Sequence, residues 1–159
     1  MFESKPATPL TDTIRQYFTE DELQFEEKEL DGAPIFQFGF EAQNGRYPGH
    51  IRVNEKAEQV SVYFRLDMMV PEEKRDVACE YLTRANYGLR MGNMEMDFAD
   101  GEIRYKSSLD FEGETLSHAW LKHAIYPAVQ TMDRYLPGLM NVLYGGVPPA
   151  EAIAEIEET

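Results

Sequence analysis

The chain contains one cysteine and no long hydrophobic run, and each shortage excludes a class of protein. Cys79 is the only cysteine among the 159 residues, so no internal disulfide can form. A lone thiol fits a reducing cytoplasm. No stretch approaches the ~20 apolar residues that span a bilayer, and the first residues lack the basic and apolar segments of a secretory signal. We therefore expect a cytoplasmic protein that does not enter a membrane.

Basic residues are also scarce. Lys and Arg number 15 against 29 Asp and Glu, which gives a formal net charge of -14. Affinity for nucleic acid and for anionic lipid surfaces comes mainly from Lys and Arg, so the composition argues against both partners. An acidic surface instead suits protein clients with basic flanks.

Recognisable catalytic and metal-binding motifs are missing too. The sequence contains no G-x-S-x-G, H-E-x-x-H, P-loop or G-x-G-x-x-G pattern. His118 and His123 are five residues apart, or about 140° around a helix, whereas helical metal ligands stand three or four apart. Around Gly101, only Asp100 falls where a calcium loop needs an acid. We therefore predict a protein that is not an enzyme, with no catalytic residue, cofactor or metal.

The acid-rich segment EMDFADGEIRYK, residues 95–106, is interpreted as a β-hairpin around the turn dipeptide Asp100-Gly101. A two-residue turn there predicts four cross-strand pairs: Asp97–Arg104 and Glu95–Lys106 on one face, and Phe98–Ile103 and Met96–Tyr105 on the other. In this register, Asp97 and Glu95 each have a basic cross-strand neighbour, which gives these two acids a structural role. An alternative function, an acid–base hydrolase using Asp97 and Glu102, conflicts with this register.

Two further dipeptides predict tight hairpin turns in the first half of the chain. Asp31-Gly32 and Asn44-Gly45 both suit turns whose central residues have positive φ. A two-residue turn at Asn44-Gly45 would place Phe36 opposite Val53, with apolar residues sharing one face. Pro48-Gly49 is expected to mark a bulge or an edge in the second strand.

Helical spacing begins near Leu10, returns after Pro71 and fills the last third of the chain. Pro127 and Pro137 fall inside the last pattern, so that helix should be kinked or broken. The short final helix has a thin apolar face and is expected to dock loosely or to pack on a partner. The order of elements predicts an α+β fold: an antiparallel sheet built from a meander of three or four strands plus a two-stranded hairpin, with N-terminal, central and C-terminal helices packed on it.

Two stretches resemble a known family. NYGLRMGNMEMDFADGEIRYK, with Asn86, Gly92 and Asp100-Gly101, and MDRYLPGLMNVLYGG, beginning near Asp133, resemble the bacterial YbjN-like family of sensory transduction regulators. The resemblance covers residues 70–155, and the first half matches only in its order of elements. It implies a fold similar to type III secretion chaperones, which are small, acidic, commonly dimeric proteins that bind extended client segments. The sequence itself predicts a flexible tail over residues 1–8, which leaves a single YbjN-like α+β domain over residues 9–159.

Eight methionines point towards binding, because methionine lines adaptable surfaces as well as filling irregular cores. Six residues are predicted to contact a partner: Met68, Met69, Met94, Met96, Phe98 and Tyr105. The leading hypothesis is a non-enzymatic interaction module, a homodimer that holds an unknown protein or peptide client against sheet edges.

The alternative hypothesis is a small-molecule sensor with a pocket between the sheet and the long C-terminal helix. Its polar groups would come from Tyr63, Tyr105, Arg104 and His123. A sheet face that is fully packed against the helix would disfavour this pocket, and a cavity with converging polar atoms would favour it.

Overall fold

The computed structural model describes residues 8–158. The predicted flexible tail therefore lies outside the described residues, apart from Thr8. The elements follow one another in this order: α1 Pro9–Glu20, β1 Glu26–Leu30, β2 Ala33–Glu41, β3 Arg46–Asn54, β4 Gln59–Met69, α2 Arg75–Gly88, β5 Asn93–Met96, β6 Glu102–Asp110, α3 His118–Gly145 and α4 Pro149–Glu157. None of the helices described here is long and apolar enough to cross a membrane.

The strands form one antiparallel sheet in the order β1-β2-β3-β4-β6-β5. The first four strands make a meander, and the β5–β6 hairpin joins it through β6. Alternate side chains of β3 and β4, such as Ile51, Val62 and Phe64, are fully buried on the inner face. The helices pack on that face, where Phe18 of α1 stacks on Phe36. The predicted α+β fold is confirmed.

The turn at Asp31-Gly32 is the tight turn that its sequence predicts. Asp31 and Gly32 have φ values of 52° and 78°, and Leu30 pairs directly with Ala33. Both central residues are therefore in the left-handed region that this turn type needs.

The predicted register at Asn44-Gly45 is wrong by two residues. Phe36 lies opposite Ile51 and not Val53, because the loop has four residues, closed by a hydrogen bond from the Ala42 amide to the Gly45 carbonyl. A shift of two keeps every side chain on its predicted face. Pro48 and Gly49 stay inside β3 without a bulge, where the β3–β4 ladder ends.

The register of the acid-rich hairpin is also shifted by two. Met96 lies opposite Ile103 and Glu95 opposite Arg104, so the predicted pairs of Phe98, Asp97 and Tyr105 do not form. The loop is longer because Gly101 donates to the Asp97 carbonyl at 2.7 Å and accepts from the Val70 amide at 2.9 Å. This contact with the end of β4 replaces the two-residue turn.

The structure shows how the last two helices are held. Pro127 and Pro137 do not break α3, which runs as one helix of 28 residues. Each proline removes a backbone hydrogen bond, at a cost of about 3 kcal/mol or more, but the long buried stripe of α3 holds the helix together. The final helix α4 docks closely and not loosely: a Cβ on Gly138 of α3 would lie 2.4 Å from Ile156 Cδ1.

Candidate functional site

The sheet opens where β3 and β4 separate. Their pairing ends at Gly49 and Phe64, and the β4–β6 register shifts between Arg65 and Met69. Within the described chain, residues 66–68 therefore pair with neither neighbouring strand. Irregular stretches of this kind occur preferentially at the rims of sheets and next to functional sites.

A groove of about 470 Å³ lies in this opening, between the ends of the two strands and α3. We call it the β3–β4 groove. Its apolar walls come from five side chains: Leu66, Met68, Leu136, Pro137 and Met140. Arg46 and Asp67 add opposite charges at its border. The volume falls in the range of small-molecule and peptide side-chain pockets.

Asp133 of α3 fixes the loop that forms one wall of the groove. Its Oδ1 accepts hydrogen bonds of 2.8 Å from the Asn44 amide and from the Tyr47 hydroxyl. The Asn44 side-chain amide donates to the Asp133 carbonyl at 2.8 Å. Burial and the nearby Asp133 carboxylate raise the pKa of Tyr47, so its hydroxyl stays protonated and continues to donate. The wall is therefore preorganised by contacts between residues 89 positions apart.

A second opening lies along β2. β1 pairs with β2 only as far as Glu26 and Gln37, so residues 38–41 face no strand on that side within the described part of the chain. Because alternate residues of a strand direct their backbone groups to the same side, the N–H and C=O of Gly39 and Glu41 point where β1 has ended. They form an open strand edge, which we call the β2 edge.

A broad groove of about 910 Å³ runs along the β2 edge. Phe25, Phe38 and Phe40 give it aromatic walls, and Glu26 and Glu41 give it acidic ones. Arg46 borders both this groove and the β3–β4 groove, so the two openings flank the same β2–β3 hairpin. The arrangement can accept an extended backbone together with apolar side chains.

The structure divides the six predicted partner-binding residues between different environments. Met68 lines the β3–β4 groove. Met69 and Phe98 are each 51% exposed at the end of the sheet where β4 meets the β5–β6 loop, whereas Met94 and Tyr105 are buried in the core. Met96 is half-buried. The six do not form one surface, and their role in binding stays a prediction.

The backbone of Met94 is bound by the Asn86 side chain, a contact that the sequence does not indicate. The Asn86 side chain of α2 accepts from the Met94 amide at 2.8 Å and donates to the Met94 carbonyl at 2.7 Å. It therefore occupies the backbone groups that β5 would otherwise offer at the far edge of the sheet.

The polar residues predicted for a sensor pocket do not converge. Tyr63 and Arg104 stand on the outer face of the sheet, Tyr105 is buried on the inner face, and His123 is exposed on α3. The gap between the sheet and α3 beside Met132 and Leu139 measures about 10 Å³, which is close to the minimum for one water. The larger β3–β4 groove lies at the rim of this interface and was not recognised in the sequence, although Met68 and Pro137 border it.

Two acidic residues of the hairpin, Glu95 and Asp97, have structural partners. Burial acts to raise the pKa of Glu95, but hydrogen bonds from Arg104 at 2.5 Å and Lys106 at 3.2 Å outweigh it and lower the pKa. Asp97 accepts from the Ala99 amide at 2.8 Å. Among the described residues, no group of three or more His, Cys, Asp or Glu is placed to hold a metal ion.

Comparisons with known proteins agree with the resemblance. The family model YbjN, described as "Putative bacterial sensory transduction regulator", matches residues 11–140, which extends further towards the N-terminus than the expected residues 70–155. The structure is similar to the crystal structure of YbjN, "a putative transcription regulator from E. coli", with a TM-score of 0.53 and 13% identity over 77% of this chain and 85% of that one. It is also similar to the crystal structure of the ExsC-ExsE complex, with a TM-score of 0.49 and 12% identity over 77% and 90%. No curated protein gives a significant match.

Proposed function

The chain belongs to the YbjN family, and we propose that it is a non-enzymatic, chaperone-like interaction module that binds an extended segment of a partner protein. It would act in the cytoplasm, as one domain over residues 9–159. The observation that carries the proposal is the β2 edge, where the backbone groups of Gly39 and Glu41 face a groove and not a strand.

An incoming strand can continue the sheet beyond Glu26 by hydrogen bonding to the β2 edge. Backbone hydrogen bonds of this kind give affinity, and pockets for alternate side chains give specificity. Phe25, Phe38 and Phe40 favour apolar side chains on one face of the segment, and Glu26 and Glu41 favour basic ones on the other. The expected client is therefore an extended segment in which apolar residues alternate with Lys or Arg.

The predicted contact residues have distinct parts in this proposal. Met68 supports a second anchoring pocket in the β3–β4 groove, which shares Arg46 with the β2 groove. Met69, Met96 and Phe98 extend the contact at the end of the sheet. Met94 and Tyr105 act from the core, by holding the β5–β6 hairpin in place.

A display library of random twelve-residue peptides tests the proposal. Selection on the full chain should enrich peptides with alternating apolar and basic residues. Gly39→Pro removes the edge N–H that would donate to the peptide, so binding of a selected peptide should weaken about tenfold or more. The variant should still fold, because proline is compatible with an edge position. Gly39→Ala is the matched control, because its Cβ would lie 3.4 Å from the Tyr47 carbonyl, an ordinary contact. Equal binding by both variants would exclude the β2 edge as the site.

The β3–β4 groove favours a second candidate function, binding of a small molecule between the sheet and α3. Native mass spectrometry of protein taken gently from expressing cells separates the two functions. A dimer mass, alone or with peptide-sized adducts, supports the interaction module and the proposed homodimer. A monomer carrying one discrete small mass supports the small-molecule sensor.

A further inference from the structure

The β3–β4 groove begins where a proline ends the pairing of its two strands. Gly49 and Phe64 are the last pair, and the next residues along the strands are Pro48 and Arg65. Gly39, which lies opposite Pro48 on β2, directs its backbone groups away from β3, so those of Pro48 face β4. Proline has no N–H to donate there. The ladder therefore stops, and the groove opens beyond it.

Two opposite charges stand on the two sides of this opening. Arg46 and Asp67 lie three residues beyond the Gly49–Phe64 pair, one on each strand. A continued ladder would place them directly opposite each other, in a position where opposite charges stabilise a sheet. Instead both line the groove, and within the described chain no ion pair joins them. The fold therefore keeps a cation and an anion apart across the groove.

The charges around the groove are balanced. Glu41 lies opposite Arg46 on β2, and Arg65 lies 3.8 Å from Asp67, with side chains 44% and 63% exposed. Two cations and two acids therefore border the groove. A ligand that carries a single charge meets repulsion there as well as attraction, whereas a zwitterion can place each of its charges beside the opposite one.

Between the charged sides the groove is apolar. Leu66 and Met68 come from β4, and Leu136 and Met140 come from α3. Met140 is 37% exposed, and methionine side chains adapt to ligands of irregular shape. The volume of about 470 Å³ lies in the lower half of the range of ligand pockets. The floor therefore suits an aliphatic or thioether side chain of a small ligand.

Pro137 helps to fix the groove in place. It lines the groove, and because it has no N–H, the carbonyl of Asp133 four residues earlier lacks its donor within α3. The Asn44 side-chain amide donates to this carbonyl at 2.8 Å. The same loop packs closely on α3, since a Cβ on Gly45 would lie 3.0 Å from Leu136 Cδ2. The proline thus supplies both a wall and the acceptor that holds the opposite loop.

We propose that the β3–β4 groove binds a free α-amino acid with an apolar side chain, such as leucine or methionine. Its carboxylate accepts hydrogen bonds from the Arg46 guanidinium, its ammonium donates to the Asp67 carboxylate, and its side chain packs on the apolar floor. The proposal rests on the second candidate function, small-molecule binding, and names the class of ligand. It does not depend on the β2 edge.

Calorimetric titration of the full chain with L-leucine tests the proposal, together with two analogues that each lack one charge. Leucinamide keeps the ammonium and lacks the carboxylate, and N-acetylleucine keeps the carboxylate and lacks the ammonium. We expect each analogue to bind about tenfold more weakly than leucine, because each loses one charge-assisted hydrogen bond.

Two variants assign each charge of the ligand to its partner. In Arg46→Gln, leucine should lose its preference over leucinamide and keep its preference over N-acetylleucine. In Asp67→Asn, the opposite pattern is expected. Both residues are exposed, so both variants should fold. Arg52→Gln is the control, since Arg52 is an exposed arginine of β3 outside the groove. It should keep both preferences and change the affinity for leucine less than about twofold.

N-acetylleucinamide, which has the side chain and neither charge, separates this proposal from the function on which it rests. If it binds as tightly as leucine, the groove takes small apolar molecules without using the two charges, and only the present proposal is wrong. If neither compound binds and native mass spectrometry shows no small adduct, the small-molecule function is wrong as well. Both charge preferences retained in Arg46→Gln and Asp67→Asn would place leucine outside the groove and would also overturn the proposal.

Discussion

Two stretches of strand edge in the sheet are treated in opposite ways. At the β5 edge, the Asn86 side chain bonds both backbone groups of Met94, and no further strand can use them. At the β2 edge, the backbone of Gly39 and Glu41 faces an open groove. Exposed strand edges invite pairing with other chains, and proteins usually cover or charge them. The backbone of Met94 is therefore covered within the fold, whereas the β2 edge is open.

The largest effect is expected from opening the closed edge. Asn86→Ala leaves the buried Met94 amide and carbonyl without partners, so the free energy of unfolding should fall by about 2–3 kcal/mol. Urea denaturation followed by circular dichroism measures the change. Asn93→Ala, an exposed position on the same strand, is the control and should cost less than about 0.5 kcal/mol. Equal losses in the two variants would contradict the role of Asn86.

A smaller effect is expected from loosening the hairpin that carries the open edge. Asp133→Ala removes the acceptor of the Asn44 amide and the Tyr47 hydroxyl, and stability should fall by about 1–2 kcal/mol. Asp133→Asn keeps one acceptor oxygen and should lose less than the alanine variant. Chemical denaturation compares them, and a larger loss in the asparagine variant would contradict the anchoring role.

The centre of the sheet between the two edges should respond to pH through His50. Its pKa is lowered to about 4 in the folded protein, first by burial and then by Arg52, Arg104 and Arg65, against an unfolded value of about 6.5. The unfolded state therefore binds the proton more readily than the folded state, and protonation of His50 favours unfolding. The free energy of unfolding should be constant above pH ~6.5 and should fall by about 1 kcal/mol, after allowance for solvent screening, as the pH is lowered towards ~4. An NMR titration of the His50 ring should show a midpoint well below 6. A midpoint near 6.5 would contradict the combined effect of burial and the neighbouring arginines on His50.

The smallest effect is expected at the open edge itself. Gly39→Pro removes the Gly39 N–H, which has no strand partner at the open edge among the described residues. Unlike Asn86→Ala, this substitution therefore breaks no hydrogen bond of the folded protein. The free energy of unfolding of Gly39→Pro should differ from that of the original protein by less than about 1 kcal/mol, which urea denaturation can measure. A loss of 2 kcal/mol or more would show that this N–H is already used in the fold.

The sequence allowed the faces of the strands to be predicted, but not the register of two hairpins. At Asp31-Gly32 nothing lies within 4 Å of a Cβ placed on Gly32. The preferences of the turn residues alone therefore determine the turn type, and the predicted two-residue turn forms. At Gly101 a Cβ would lie 2.2 Å from the Val70 carbonyl, and at Asn44 the loop binds Asp133. Both contacts join residues that are distant in sequence, and the local preferences of turn residues carry no information about such contacts.

The candidate site was predictable only in part for the same reason. Met68 and Pro137 stood out in the sequence, and both border the β3–β4 groove. Met94 and Tyr105 were assigned to a surface, yet they are buried, because an alternating apolar strand has the same pattern whether a helix or a partner covers it. The early end of β1 pairing, which creates the β2 edge, has no signature in the residues of β2.

Amide hydrogen exchange at residues 38–41 tests the central claim most directly. In the free protein, the amides of Gly39 and Glu41 should exchange much faster than those of Phe38 and Phe40, which face β3. On addition of a peptide selected on this chain, Gly39 and Glu41 should become protected while Phe38 and Phe40 change little. Unchanged exchange at Gly39 and Glu41 in the presence of a tightly bound peptide would contradict the account and place the partner elsewhere on the protein.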